Sequence, residues 1–262
     1  MKRIAIIGGG NLGTAIALGL IKSEFIVAQY ITITKRNLDT LAGLEGIGVN
    51  VTSDNIAAIE NSDTIIIAIK PFQVKEVLEQ IAPALSEKHL LISVVTGVSL
   101  EEMNTLIEKD IPLFRAMPNT AIAIQESITC ISTSSKNEDD KKYVNELFSQ
   151  LGKIAQIDEK LMNAATVLGA CGTAYAMRYI RANIQGGIEI GFDAATASLI
   201  AAQTVKGAAE LLLTTHTHPE QEIDKVTTPK GCTIAGLNEM EHQGFSSSLI
   251  KGIVASYNKI GS

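Results

Sequence analysis

Cysteine is scarce: Cys130, Cys171 and Cys232 are the whole complement of 262 residues. Three thiols, odd in number and unevenly spaced, fit neither a disulfide framework nor a metal knuckle, so a reducing, cytoplasmic setting is expected. Positive charge is equally thin. The formal net charge is −6, and no run of Lys or Arg is longer than the pair Lys35–Arg36. Neither a nucleic-acid footprint nor a patch for anionic membranes is present, which leaves small molecules as the expected partners. Long apolar runs are missing too, because Arg178, Arg181, Glu189, Asp193, Lys206 and Glu210 interrupt the Ala-rich segments before they reach bilayer-spanning length. The opening "MKRIAIIGGG" has an apolar run, but three glycines cut it and a helical pattern follows, so it reads as a first strand rather than a leader. Proline is absent between Pro118 and Pro219, which makes long helices possible there.

What is present is core material, with 46% hydrophobic residues. The segments "RIAII", "QYITIT", "VNVT", "DTIIIAI", "HLLISVV", "PLFRAM", "SITCIST" and "KIAQI" are strand candidates separated by helical patterns. Several are continuously apolar rather than alternating, as strands buried on both faces of a parallel sheet are. The expectation is an α/β fold, with a dinucleotide-binding domain over residues 1–157 and an all-α domain over 158–262. In the second part, helices are expected from about Glu159 to Gln185, from Asp193 to about Thr214, and after Thr233 and Phe245, with Asp193, Thr233 and Ser246 as N-caps. The small residues of "AATVLGACGTAYA" and "AATASLIAAQ" allow close helix packing but supply little bulk. Two outcomes fit: the helices pack on the first domain, or they complete their core against a second copy in a homodimer.

In "IAIIGGGNLGTAIALGL", Gly8, Gly10 and Gly13 have the spacing of a dinucleotide loop, after a strand and opening a helix. They would provide a tight turn, room for a pyrophosphate and close helix–strand contact, while the helix start offers free N–H groups to phosphate. The second strand ends "ITITKRN", placing Thr34, Lys35 and Arg36 where an NAD enzyme carries an acid. A hydroxyl and two cations there suit the extra phosphate of NADPH; a solvated cation pair is the alternative. Lys70, Pro71, Thr96 and Gly97 follow later strands and should border the nicotinamide end, although Lys70 also fits an ordinary surface position.

The segments "IIGGGNLGTAI", "SDTIIIAIKP", "LFRAMPNTAIAI", "LIAAQTVKGAAELL" and "HPEQEIDKVTTPKGCTIAGLNEMEHQGF" resemble the Δ1-pyrroline-5-carboxylate reductase family over nearly the whole chain. "RAMPNT" and "TIAGLNEMEHQGF" are the specific blocks. The resemblance implies a Rossmann-like domain followed by a helical dimerisation domain, and dimers that assemble further into decamers. The implied activity is reduction of 1-pyrroline-5-carboxylate to L-proline by NADPH, with NADH possible. Carried over by position, Gly8, Gly10, Asn11, Leu12, Gly13, Thr34, Lys35, Arg36 and Asn55 contact the cofactor, and Ala68, Ile69, Lys70, Pro71, Val94, Val95 and Thr96 lie along its path. Asn119, Lys230, Gly231, Cys232 and Thr233 fall to the substrate, with Thr233 catalytic beside the ring nitrogen. Its hydroxyl can orient the imine and relay a proton, while the N–H groups of "TPKGCTI" suit the carboxylate. A turn-forming role is the alternative for Asn119.

Three departures mark this sequence. "LGACGTAY" replaces the family's Ser-Gly-Ser-Gly-Pro-Ala-Tyr, Arg178 and Arg181 lie where a glutamate is usual, and Lys230 replaces a glycine in "PKG". No histidine is placed to activate Cys171 or Cys232, and His216 and His218 lack a third ligand, so neither a thiol nucleophile nor a metal is expected. Other readings are an NADP-dependent imine or hydroxyacid oxidoreductase of the same fold, or a non-catalytic dinucleotide-binding regulator. The hydroxyacid enzymes use a lysine on the interdomain helix, where this chain has only Lys160.

Overall fold

β-Branched and continuously apolar segments form the strands, as their side chains suit a pleated surface buried on both faces. In the computed structural model, which describes residues 2–260, β1 spans Ile4–Ile7, β2 Ile31–Thr34, β3 Asn50–Thr52 and β4 Thr64–Ile67. β5 spans Leu90–Ser93, β6 Leu113–Met117, β7 Ser127–Thr133 and β8 Gly152–Gln156. They form one eight-stranded sheet in the order β3-β2-β1-β4-β5-β6-β7-β8, whose first six strands in chain order have the doubly wound dinucleotide topology.

Two strands depart from the expected all-parallel sheet. β7 runs antiparallel to β6, and β8 runs parallel to β7. A parallel return requires a crossover of a dozen or more residues. The link 118–126 holds only a short 3-10 turn, Thr120–Ile124, so the chain reverses.

Alternation along β1 divides the core into two layers. Ile4 and Ile6 pack with Ile16, Leu20, Phe114 and Phe148 on one face, and Ala5 and Ile7 pack with Leu78, Met103 and Ile107 on the other.

The described residues divide into compact units over 2–171 and 172–260. The second contains the helices Gly172–Glu189, Ala194–Thr215, Pro219–Lys225, Cys232–His242 and Phe245–Ile260. Gly187 permits the first two to approach closely, since a Cβ there would lie 3.2 Å from the Ala197 Cβ.

Several helix boundaries differ from expectation. In place of one helix from Glu159, the chain forms a 3-10 turn Glu159–Leu161, a helical turn Met162–Ala165, a π-helical segment Thr166–Cys171 and then Gly172–Glu189. An inserted side chain accompanies the widened turn: Asn119 Nδ2 donates to Gly169 O at 3.3 Å. Asp193 caps its helix as expected, accepting from Ala195 N and Thr196 N.

Thr233 is not an N-cap. Gly231 holds that position in extended geometry, and Thr233 lies in the first turn. The helix expected after Phe245 begins at Phe245 itself, so Ser246 lies in its first turn and is not its N-cap; the Ser246 hydroxyl donates to Glu241 Oε1 at 2.6 Å. The helix Pro219–Lys225 was not foreseen; His218 caps it, with Gln221 completing a capping box.

Candidate functional site

The loop after β1 turns toward β2, because Gly8 N and Gly9 N both donate to Thr34 O, at 3.2 and 2.7 Å. Gly8 has φ +116°, and a Cβ there would meet Ala68 O at 2.4 Å; only glycine allows so tight a turn. Gly13 brings the helix Asn11–Lys22 down on the loop, since its Cβ would lie 2.1 Å from Gly8 O. No side chain caps that helix, so its first N–H groups face the cleft free to bind an anion.

The cleft has a volume of about 730 Å³ and runs along the carboxyl ends of β1, β2 and β4. Gly8, Gly10, Asn11, Leu12, Thr34, Lys35, Arg36, Asn55, Ala68, Ile69, Lys70 and Val94 all line it. Three cations, Lys35, Arg36 and Lys70, stand on its wall, and among the described lining residues there is no carboxylate. The Thr34 hydroxyl donates to Asn55 Oδ1 at 2.7 Å, and Asn55 Nδ2 donates to Gln80 Oε1 at 3.0 Å. Glycines that a side chain would clash with, free helix N–H groups and a carboxylate-free, cationic ribose end together fit a dinucleotide bearing an extra phosphate.

Four residues expected along the cofactor lie off this wall. Gly13 serves packing rather than lining. Val95 turns into the opposite core layer with Leu100 and Met103. Pro71 borders a separate hollow with Val74, Lys75 and Glu101. Thr96 points its hydroxyl toward Met117 Sδ, 3.9 Å away. Conversely, Ile7, Gly9, Asn37, Ser53, Gln73 and Val77 line the cleft and were not foreseen. Ser53 follows β3 and arrives through sheet order, which no local motif reports, whereas Gln73 arrives locally, accepting from Lys70 N at 3.3 Å in a capping box.

The segment after β6 is held from several sides. Asn119 Oδ1 accepts from Ala121 N at 3.0 Å, its Nδ2 reaches Gly169 O, and its backbone N donates to Ser127 Oγ at 3.1 Å. Its carboxamide is thus committed to a turn and to the π-helical segment. Arg115, buried in mid-β6, pairs with Glu159 at 3.0 Å, and the same Glu159 oxygen accepts from Leu100 N at 2.7 Å. That carboxylate ties together β6, the start of the helix Leu100–Ile107 and the 3-10 turn Glu159–Leu161, an arrangement sequence reasoning missed.

In the second unit, the loop before Thr233 is a tight turn: Gly231 N donates to Thr228 O at 2.9 Å. Lys230 occupies its left-handed position, with φ +59°, which glycine favours. A Cβ on Gly231 would come within 2.5 Å of Thr228 Oγ1. The turn leads into Cys232–His242, which has no side-chain cap. Lys230, Gly231, Cys232 and Thr233 are therefore consecutive at one helix start.

Burial pushes the Cys130 thiol up, away from the thiolate form. All three cysteines are free. His216 ends the helix Ala194–Thr215 in left-handed geometry. Among the described residues no helix is long and apolar enough to cross a membrane.

Residues 159–262 match the family model described as pyrroline-5-carboxylate reductase dimerisation, and residues 3–97 match one described as NADP oxidoreductase, coenzyme F420-dependent. The sequence is 47% identical to pyrroline-5-carboxylate reductase 1 of Dictyostelium discoideum, across 99% of this chain and 49% of that protein. It therefore spans about half the length of that relative. It is 42% identical to pyrroline-5-carboxylate reductase 2 of the same organism, across 98% of this chain and 92% of the relative. The crystal structure of Plasmodium falciparum pyrroline carboxylate reductase with NADP bound superposes with a TM-score of 0.90 at 28% identity, covering 100% of this chain and 98% of that one.

Proposed function

We propose, since the chain belongs to the pyrroline-5-carboxylate reductase family, that it reduces 1-pyrroline-5-carboxylate to L-proline in the last step of proline biosynthesis, using NADPH in preference to NADH. The observation that carries the cofactor choice is the cleft with Lys35, Arg36 and Lys70 on its wall and no carboxylate among its described lining residues. A family match along nearly the whole chain supports the substrate. Gly8, Gly10, Asn11 and Leu12 receive the pyrophosphate, Lys35 and Arg36 the additional phosphate, and Thr34 and Asn55 the adenosine ribose.

When bound, NADPH would supply a hydride to the imine carbon; with the ring nitrogen already protonated, the C=N π electrons become the lone pair of the product amine. A protonated cyclic imine is already electrophilic, so the chain needs no nucleophile and no strong base. Its task is orientation. The free N–H groups at the start of Cys232–His242 hold the substrate carboxylate, Lys230 adds a cation to the same loop, and the Thr233 hydroxyl hydrogen-bonds the ring nitrogen. Asn119, in the first unit, is kept as a substrate contact on the family resemblance alone.

Lys160 is exposed and bridged to Asp158 at 2.9 Å, which gives no support to a lysine acid/base of the hydroxyacid type. We further propose that the helices of residues 172–260 form a homodimer, the unit from which a decamer is built, and that the protein works in the cytoplasm.

Thr233→Ala tests the substrate assignment. Its kcat on 1-pyrroline-5-carboxylate should fall at least about tenfold, the loss expected for one hydrogen bond to a charged group, while the NADPH Kd stays within about twofold. An unchanged kcat would remove Thr233 from the mechanism.

A further inference from the structure

We propose that Gln80, outside the cleft, is a positioning residue that lets this site accept NADH as well as NADPH, by fixing the Thr34 hydroxyl as a hydrogen-bond acceptor. The inference rests on the dinucleotide assignment of the cleft. Thr34 closes β2 and is 3% exposed, yet it lines the cleft at the ribose end. Its hydroxyl has one hydrogen, and that hydrogen is committed to Asn55 Oδ1 at 2.7 Å. What Thr34 offers the cleft is therefore lone pairs.

The direction of that bond depends on which end of the Asn55 carboxamide faces Thr34. Gln80 favours one of the two: its Oε1 accepts from Asn55 Nδ2 at 3.0 Å, the arrangement in which the amide nitrogen faces away and Oδ1 faces Thr34. The three side chains form a polarised chain from the helix Val74–Ile81 to the end of β2.

An acceptor at the ribose end is the role a carboxylate plays in NAD-binding relatives of this topology. Thr34 supplies it without a negative charge, so it accepts a hydrogen bond from a ribose hydroxyl and leaves the neighbouring Lys35 and Arg36 able to bind phosphate. NADH has two adenosine ribose hydroxyls and nothing for the two cations to hold, so it depends on this acceptor more than NADPH does. Without Gln80 the Asn55 amide can turn over, present Nδ2 to Thr34, and release the hydroxyl hydrogen toward the cleft, where it meets a phosphate oxygen better than a ribose hydroxyl.

The test is direct nucleotide binding, by protein-enhanced fluorescence of NADH and NADPH, for the parent protein, Gln80→Leu and Gln80→Glu. Gln80 is exposed, so neither substitution disturbs the core. Gln80→Leu should raise the NADH Kd roughly three- to tenfold, the range of one hydrogen bond, and move the NADPH Kd by less than about twofold. Gln80→Glu retains an acceptor for Asn55 Nδ2 and should keep the parent ratio. Equal shifts for both nucleotides in Gln80→Leu, no shift for either, or a Gln80→Glu ratio matching that of Gln80→Leu would overturn the proposal while leaving the dinucleotide site standing. A parent protein that binds neither nucleotide would overturn both.

Discussion

Lys35 and Arg36 are adjacent in sequence, and their backbone is pinned because Lys35 N donates to Thr52 O at 3.1 Å. Charge-assisted bonds from such a pair to phosphate are about twice as strong as neutral ones. Replacing both with alanine should weaken NADPH by about tenfold or more and NADH by less than about threefold, as read by fluorescence titration; equal losses would remove the phosphate assignment. His89 governs a different property. It is 1% exposed, and its Nδ1 accepts from Ser86 N at 2.8 Å, which requires the neutral ring. Burial, followed by the charge of Lys88, pulls its pKa below the usual histidine value. The unfolded chain then binds a proton at His89 more readily than the folded one, so its contribution to stability is complete above about pH 6.5 and is lost as pH falls below that. Urea unfolding between pH 7.5 and 5 should show this loss, and His89→Gln should flatten it; the same slope in both proteins would contradict the account.

Elements were legible in the sequence where one local signal sufficed. Seven of the eight strands lie within the runs that suggested them and β8 starts one residue early, at Gly152; the central ones were plainest, because a strand buried on both faces needs an unbroken apolar run. Asp193 was found as a cap because capping is local. The π-helical segment Thr166–Cys171 was not, since it is accompanied by Asn119 from 50 residues earlier. The same limit hid Gln80, which is 25 residues from Asn55, and the Arg115–Glu159 pair, 44 residues apart. The glycine spacing located the cleft, but which neighbouring strand ends would line it followed from sheet order. At the turn Thr228–Gly231 the departure from the family became interpretable: Lys230 carries φ +59°, a conformation a side chain tolerates at a cost and a β-branched one tolerates poorly. Lys230→Val should therefore destabilise the protein by about 1 kcal/mol, while Lys230→Gly should stay within about 0.5 kcal/mol of the parent, strain relief offsetting the added freedom of the unfolded chain. Equal stabilities of the Val and Gly variants would contradict the turn assignment.

The two units differ in how they are held together. The sheet unit has two apolar layers built from its own residues, whereas among the described residues of 172–260 only Ala197 and Ala201 are buried. Ile190, Leu199, Leu211, Leu213, Ile250 and Val254 are all exposed, far more apolar surface than a monomeric helical unit leaves in water. A second copy of the chain is the partner that such a surface, within the region matching the dimerisation family, calls for. The proposed activity requires that hydride pass from the bound nucleotide to the imine carbon of the substrate. The direct measurement is turnover of 1-pyrroline-5-carboxylate with NADPH carrying deuterium at the transferred position of the nicotinamide. The account predicts L-proline labelled at Cδ, one deuterium for each NADPH oxidised; nucleotide bound with no proline formed, or proline without the label, would contradict it.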